Sequence, residues 1–239
     1  MGQAWQKGDI PEIGSTPPPD RPARPDKPVL LPPRDMPKRG KARTEAGRIA
    51  LLHALAHIEF NAVDLACDLI ARFASPDLPR SFFDDWVTVA EEEALHFSLI
   101  SDRLRALGSF YGAHPAHDGL WEAAEDTRHD LLARLAIVPL VLEARGLDVT
   151  PMMIRNLDTV GDAESVAILE RIYQDEIGHV AAGERWFAFL CGKQSLDPTE
   201  TYHRLVRRHF RGRLKPPFNR EARAIAGMEP PFYEPLAAE

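Results

Sequence analysis

Glu91-Glu92-Glu93-Ala94-Leu95-His96 and Asp175-Glu176-Ile177-Gly178-His179 decide the reading of this chain. Each contains a Glu-x-x-His, and each follows a lone glutamate one helix upstream, Glu59 in the first case and Glu143 in the second. Glu59 precedes Glu93 by 34 residues and Glu143 precedes Glu176 by 33. The motif alone carries little: random placement of the 18 glutamates and nine histidines gives about 0.7 such pairs. A third copy, Glu200-Thr201-Tyr202-His203, has no glutamate 33 or 34 residues before it and is read as accidental.

The spacing supplies the information that the motif lacks. In an antiparallel helical hairpin, residues equidistant from the turn stand at the same height. The midpoint of Glu59 and Glu93 is Pro76, inside the helix-breaking run Ser75-Pro76-Asp77-Leu78-Pro79. The midpoint of Glu143 and Glu176 falls between Thr159 and Val160, beside Gly161-Asp162. Both pairs therefore sit about 17 residues, or roughly 25 Å, from their turns at the helical rise of ~1.5 Å per residue.

Residues i and i+3 share a helix face, so Glu93 with His96 and Glu176 with His179 each present an oxygen and a nitrogen donor together. Glu59 and Glu143 add a carboxylate from the other helix of each hairpin. Four glutamates set among Ala, Val, Leu, Ile and Trp would be costly to bury unless paired or bound to metal. The predicted fold is therefore all-α, a four-helix bundle holding a dinuclear metal site with ligands Glu59, Glu93, His96, Glu143, Glu176 and His179. Mixed carboxylate and imidazole ligation suits two Fe ions, with Mn or mixed Fe/Mn equally compatible and zinc still open.

The remaining sequence organises around those helices. Residues 1–40 hold ten of the 21 prolines and read as an extended arm that either wraps the domain or stays disordered. Helices are expected over about 44–73, 81–107 and 163–190, with a third bundle helix through Leu135–Glu143 kinked by Pro139. Residues 109–130 form a crossover, partly helical around Trp121–Thr127. The bundle is placed at 41–192, and a basic helical extension with a Pro-containing tail at 193–239. A net charge of −7, only two cysteines (Cys67 and Cys191), and no visible signal peptide or spanning segment predict a cytoplasmic protein that is not a generic nucleic-acid binder.

His57-Ile-Glu59, Glu91-Glu92-Glu93-Ala-Leu-His96, Glu143-Ala-Arg-Gly-Leu-Asp148 and Asp175-Glu176-Ile-Gly-His179 resemble the ferritin-like di-iron carboxylate superfamily. Within it, they look like a bacterial ferritin-like family of unknown function, over about residues 41–226. The resemblance implies two antiparallel hairpins joined by a long crossover. It also implies that Asp175 and Glu92, preceding the Glu-x-x-His glutamates, hydrogen-bond a metal-bound histidine of the opposite hairpin. In members that store an oxidising equivalent, a tyrosine lies near the metals. Tyr173 stands one turn before Glu176, where a plain core role is the commoner use of such a residue.

Arg145 and Asp148 form an ion pair near the site or a simple helix-end pair; both readings stand. His53 and His57, spaced i, i+4, point away from Glu59 and are assigned surface or supporting roles. His114, His117 and His129 read as solvated loop residues, and Cys67 as a small core residue. From Tyr202 to Arg223 eight cations face one acid, Glu221. The favoured reading is an amphipathic helix burying Leu205, Val206 and Phe210. The alternative makes Arg204, Arg207, Arg208 and Arg211 an anion-binding flap for a phosphorylated small molecule or RNA.

By analogy with the superfamily, the expected activity is an O2-activating oxidase or hydroxylase with a small-molecule substrate, an anionic one included, and an external electron donor. Three alternatives remain open: a ferroxidase, peroxide-removing or iron-handling protein; a tRNA-modifying hydroxylase; and a non-catalytic, metal-stabilised interaction module. A homodimer is the ordinary expectation, and no membrane is involved.

Overall fold

A computed structural model describes residues 2–10, 14, 16–37, 40 and 42–237. Residues 1, 11–13, 15 and 38–39 of the Pro-rich arm lie outside that description. The chain is all-α. Its helices are α1 (Gly2–Gln6), α2 (Glu45–Arg72), α3 (Arg80–Ala106), α4 (Gly119–Asp126), α5 (Leu131–Ile137), α6 (Ala144–Asp158), α7 (Ala163–Lys193), α8 (Pro198–His209), α9 (Arg220–Ile225) and α10 (Pro230–Ala237). A π-helical segment, Val138–Glu143, joins α5 to α6 at the predicted Pro139 irregularity. Among the described residues there is no strand, only one parallel bridge between Leu30 and Ala116.

The chain divides into two compact units, residues 1–122 with 153–170, and residues 123–152 with 171–239. In the first, α2 and α3 form an antiparallel hairpin. Thr44 caps α2 by accepting the Gly47 N–H at 3.1 Å, and the loop at 73–79 turns the chain where the Pro76 midpoint places it. The hairpin buries Leu52, Ala56, Leu65, Leu69, Phe82, Trp86, Ile100 and Leu104.

The described part of the arm wraps this hairpin. Trp5 is buried, donates Nε1–H to Asp84 at 2.7 Å, and lies under the Arg80 guanidinium. Farther along, the Leu31 N–H donates to the Ala116 carbonyl at 2.8 Å, and Ala116 N–H returns a bond to Val29. The second turn also belongs to this unit. Asp162 caps the start of α7 through Ser165 N–H and pairs with Arg103 at 2.8 Å and Arg48 at 3.1 Å. Burial would raise the Asp162 pKa, but Ser165 and Arg103 hold it below the ordinary carboxylate value.

Residues 123–152 and 171–239 form the second unit. Leu135, Ile137, Leu140, Leu147, Val180, Phe187, Tyr202 and Tyr233 are buried in it. Gly183 of α7 lies against the π segment: a Cβ there would meet Pro139 Cβ at 2.5 Å, so only glycine permits this approach. The basic extension departs from the single amphipathic helix expected. Helix α8 ends at His209, the chain passes through Pro216-Pro217, and α9 restarts at Arg220. Leu205 and Val206 are buried as predicted, whereas Phe210 is half-buried.

By length and apolarity α2 is one described helix able to cross a membrane, with a mean hydropathy of 1.3 over its most apolar window. Half of that window is buried within the protein, and the helix also buries His53, His57, Glu59 and Asn61. That combination is a core helix, and sequence reading, which found no spanning candidate, passed over it.

Candidate metal centre

In the first unit, α2 delivers Glu59 and α3 delivers Glu93 and His96 to one buried point. Glu93 and His96 are fully buried and Glu59 is 4% exposed. His96 Nδ1 stands 3.4 Å from Glu59 Oε2 and 3.4 Å from Glu93 Oε2. One donor atom from each of the three lies within 4.8 Å of the others, a buried Glu/His group able to hold a metal ion. Burial alone would lower the His96 pKa; the two carboxylates overcome it and raise the imidazole to about 10. Without metal, a proton on Nδ1 therefore occupies the place that a cation would take.

The second unit carries the other three predicted ligands. Glu176 and His179 sit one turn apart on α7, with Nδ1 3.7 Å from Glu176 Oε1 and His179 buried. Glu143 closes the π segment, half-buried with an inner carboxylate oxygen.

Asp175 pairs with Arg171 at 2.6 Å on its own helix, and Glu92 is half-buried on α3. The Tyr173 hydroxyl accepts a 2.8 Å hydrogen bond from Asn219 Nδ2. Arg145 does approach Asp148, at 3.4 Å, but the main partner of Asp148 is Arg223, the last cation of the basic run that begins after Tyr202. Arg223 is 2% exposed. Arg204, Arg207, Arg208 and Arg211 are exposed, and Arg211 reaches Asp126 at 3.1 Å.

His53 and His57 are not surface residues. His53 is buried and its Nε2 accepts the Gly112 N–H at 2.9 Å. His57 Nδ1 bonds the Tyr111 hydroxyl at 2.9 Å, while Nε2 faces the His117 carbonyl at 3.2 Å. Burial pushes both imidazoles down to about 4, so both are neutral near pH 7. Beside them, Arg24, Asp26, His57, Tyr111 and Asp118 help line a cavity of about 310 Å³. His114, His117 and His129 are exposed, as expected, and Cys67 and Cys191 are unpaired thiols. Of the pair Glu200/His203, His203 Nε2 faces the Pro231 and Phe232 carbonyls at 3.1 and 3.0 Å.

Fold and site together define an all-helical protein with a buried glutamate–histidine group able to hold a metal ion. The chain belongs to the family described as a protein of unknown function (DUF455), whose profile matches residues 1–234. An uncharacterized protein of Haemophilus influenzae is 45% identical over 225 residues, which cover 92% of this chain and 77% of that protein. No solved structure matches the chain.

Proposed function

We propose that the chain is a ferritin-like, dinuclear metal-carboxylate protein that works as an O2-dependent oxidase or hydroxylase. The ligands in this reading are Glu59, Glu93 and His96 of the first hairpin and Glu143, Glu176 and His179 of the second. The observation that carries this reading is the burial of Glu59, Glu93 and His96 around a shared point, with both carboxylates 3.4 Å from one imidazole nitrogen. The matched helical register of the second ligand set extends it from one metal to two. A group this polar costs several kcal/mol to bury unless a cation or proton compensates it.

Two Fe or Mn ions would supply redox chemistry toward dioxygen. The protein's own contribution is to hold the ligands on rigid helices and to keep bulk water from Glu93 and His96. It also stores a proton at His96 Nδ1 whenever metal is absent. The substrate is a small molecule and the electrons come from an external donor.

The test is metal content of full-length protein purified without oxygen, followed by oxygen consumption after Fe(II) loading. Two metal ions per chain and iron-dependent oxygen uptake are expected, both lost on Glu93→Gln. Bound metal without oxygen uptake would replace the enzyme with a metal-stabilised structural module. No metal in the wild-type chain would sink the centre itself.

A further inference from the structure

The chain beyond α8 returns to the two helices that carry Glu143 and Glu176. The Asn219 backbone N–H donates to Asp148 Oδ1 at 2.9 Å. Its side-chain amide uses both hydrogens: one goes to the Leu147 carbonyl at 3.1 Å, the other to the Tyr173 hydroxyl at 2.8 Å. Leu147 lies four residues after Glu143, and Tyr173 three residues before Glu176, so a single amide ties together points one turn from each carboxylate.

Arg223 completes the connection. Its Nε and one terminal nitrogen grip Asp148 at 2.9 and 2.8 Å, and the same terminal nitrogen reaches the Ala144 carbonyl at 3.2 Å. Ala144 follows directly on Glu143, where the π segment ends. The guanidinium is buried and lies over the rings of Tyr233 and Phe218, at 4.6 and 5.1 Å from their centroids.

We propose that Asn219 and Arg223 are positioning residues for the ligands Glu143, Glu176 and His179, acting as a clasp that fixes α6 against α7 at the level of the carboxylates. The inference rests on the metal reading above. A π-helical turn is a local break in helical regularity, so Glu143 needs an outside restraint to hold a metal-ligand geometry. A C-terminal anchor with no such role would add stability alone. A clasp makes one metal position depend on residues 40 or more positions away from the ligands it serves.

The test is a calorimetric Mn(II) titration of metal-free, full-length protein in wild-type form and as Asn219→Ala, Arg223→Lys, His179→Ala and Arg220→Ala. Arg220 sits in the same segment but pairs with Glu234 at the surface, so its variant is the control. Two Mn(II) ions are expected to bind the wild type. Asn219→Ala and Arg223→Lys should weaken one of them by about tenfold or more, the same one that His179→Ala abolishes, and leave the other within about twofold. Arg220→Ala should change neither.

Wild-type affinities at both positions in Asn219→Ala would overturn the clasp and leave the metal centre standing. An equal loss at both positions would overturn it too, as general loosening. A wild-type chain that takes up no Mn(II) would overturn the metal reading and the clasp together. Should Arg223→Lys fail to fold, Asn219→Ala decides the question, because it removes three neutral hydrogen bonds and no charge.

Discussion

Arg223 and Asp148 meet in a two-pronged, buried ion pair, at 2.9 and 2.8 Å, across 75 residues of chain. The side chain of Asp148 is wholly buried and that of Arg223 is 2% exposed. Removing either partner strands the other charge away from water. Arg223→Met is therefore expected to lower unfolding stability by about 3–5 kcal/mol in urea denaturation. Asp148→Leu combined with Arg223→Met should recover much of that loss, and a double variant as unstable as the single one would refute the account.

Metal uptake should release protons. In the metal-free chain His96 is raised to about 10 by Glu59 and Glu93, so a cation at Nδ1 displaces a proton at neutral pH. Divalent metal affinity is expected to rise by about tenfold per pH unit between pH 6 and 9, measured by titration in buffers of different ionisation enthalpy. Affinity that stays flat across this range would mean that His96 does not ligate. The sign for the metal-free protein is opposite. A raised native pKa stabilises fully below the unfolded value of about 6.5, and that contribution is lost as pH climbs toward 10.

Glu93→Gln keeps the shape of a fully buried side chain and removes its charge. Metal affinity should fall by at least about tenfold, because a neutral amide is a poor ligand for Fe or Mn. The metal-free variant should melt within a few degrees of wild type, since Glu59 still faces His96 at 3.4 Å. Full metal occupancy in this variant would remove Glu93 from the ligand set.

His53 and His57 predict acid sensitivity. Both are buried and depressed to about 4, chiefly by burial, with His114 and His57 adding to the effect on His53. A depressed imidazole leaves the unfolded chain binding more protons between its pKa near 6.5 and the native value near 4, so stability falls as pH drops through that window. The loss between pH 7 and 5 should be about 1–3 kcal/mol. His57→Gln should flatten the pH dependence of urea unfolding, and an unchanged slope would show that His57 is not its source.

Gly183→Ala tests the close approach of α7 to the π segment. The added methyl would stand 2.5 Å from Pro139 Cβ, and a proline ring cannot rotate away. Overpacking of this kind costs about 1–3 kcal/mol. Differential scanning calorimetry that finds Gly183→Ala as stable as wild type would show that the segment yields freely.

Much of the helical framework was legible before any coordinates. Apolar spacing and breaker residues located α2, α3 and α7 to within a few residues, and both turns fall where the glutamate midpoints put them. Asn219 was not legible as a bridge. Ahead of Arg220-Glu221-Ala222 it reads only as a helix cap, and it does accept the Ala222 N–H at 3.3 Å. Arg223 looked like one cation in a basic run, and His53 and His57 looked peripheral because the segment that covers them lies more than 50 residues downstream.

Periodicity and spacing are local properties of a chain, so the sequence by itself determined the helices, their turns and the placing of Glu59 with Glu93 and His96 on one hairpin. Which charges are buried and what they touch depends on contacts between residues far apart in the chain. Only the tertiary structure could pair Asp148 with Arg223, carry the Asn219 amide to Tyr173, and close the arm and crossover over His57. Burial changes the energy of a charge by several kcal/mol, and no pattern along the chain records it.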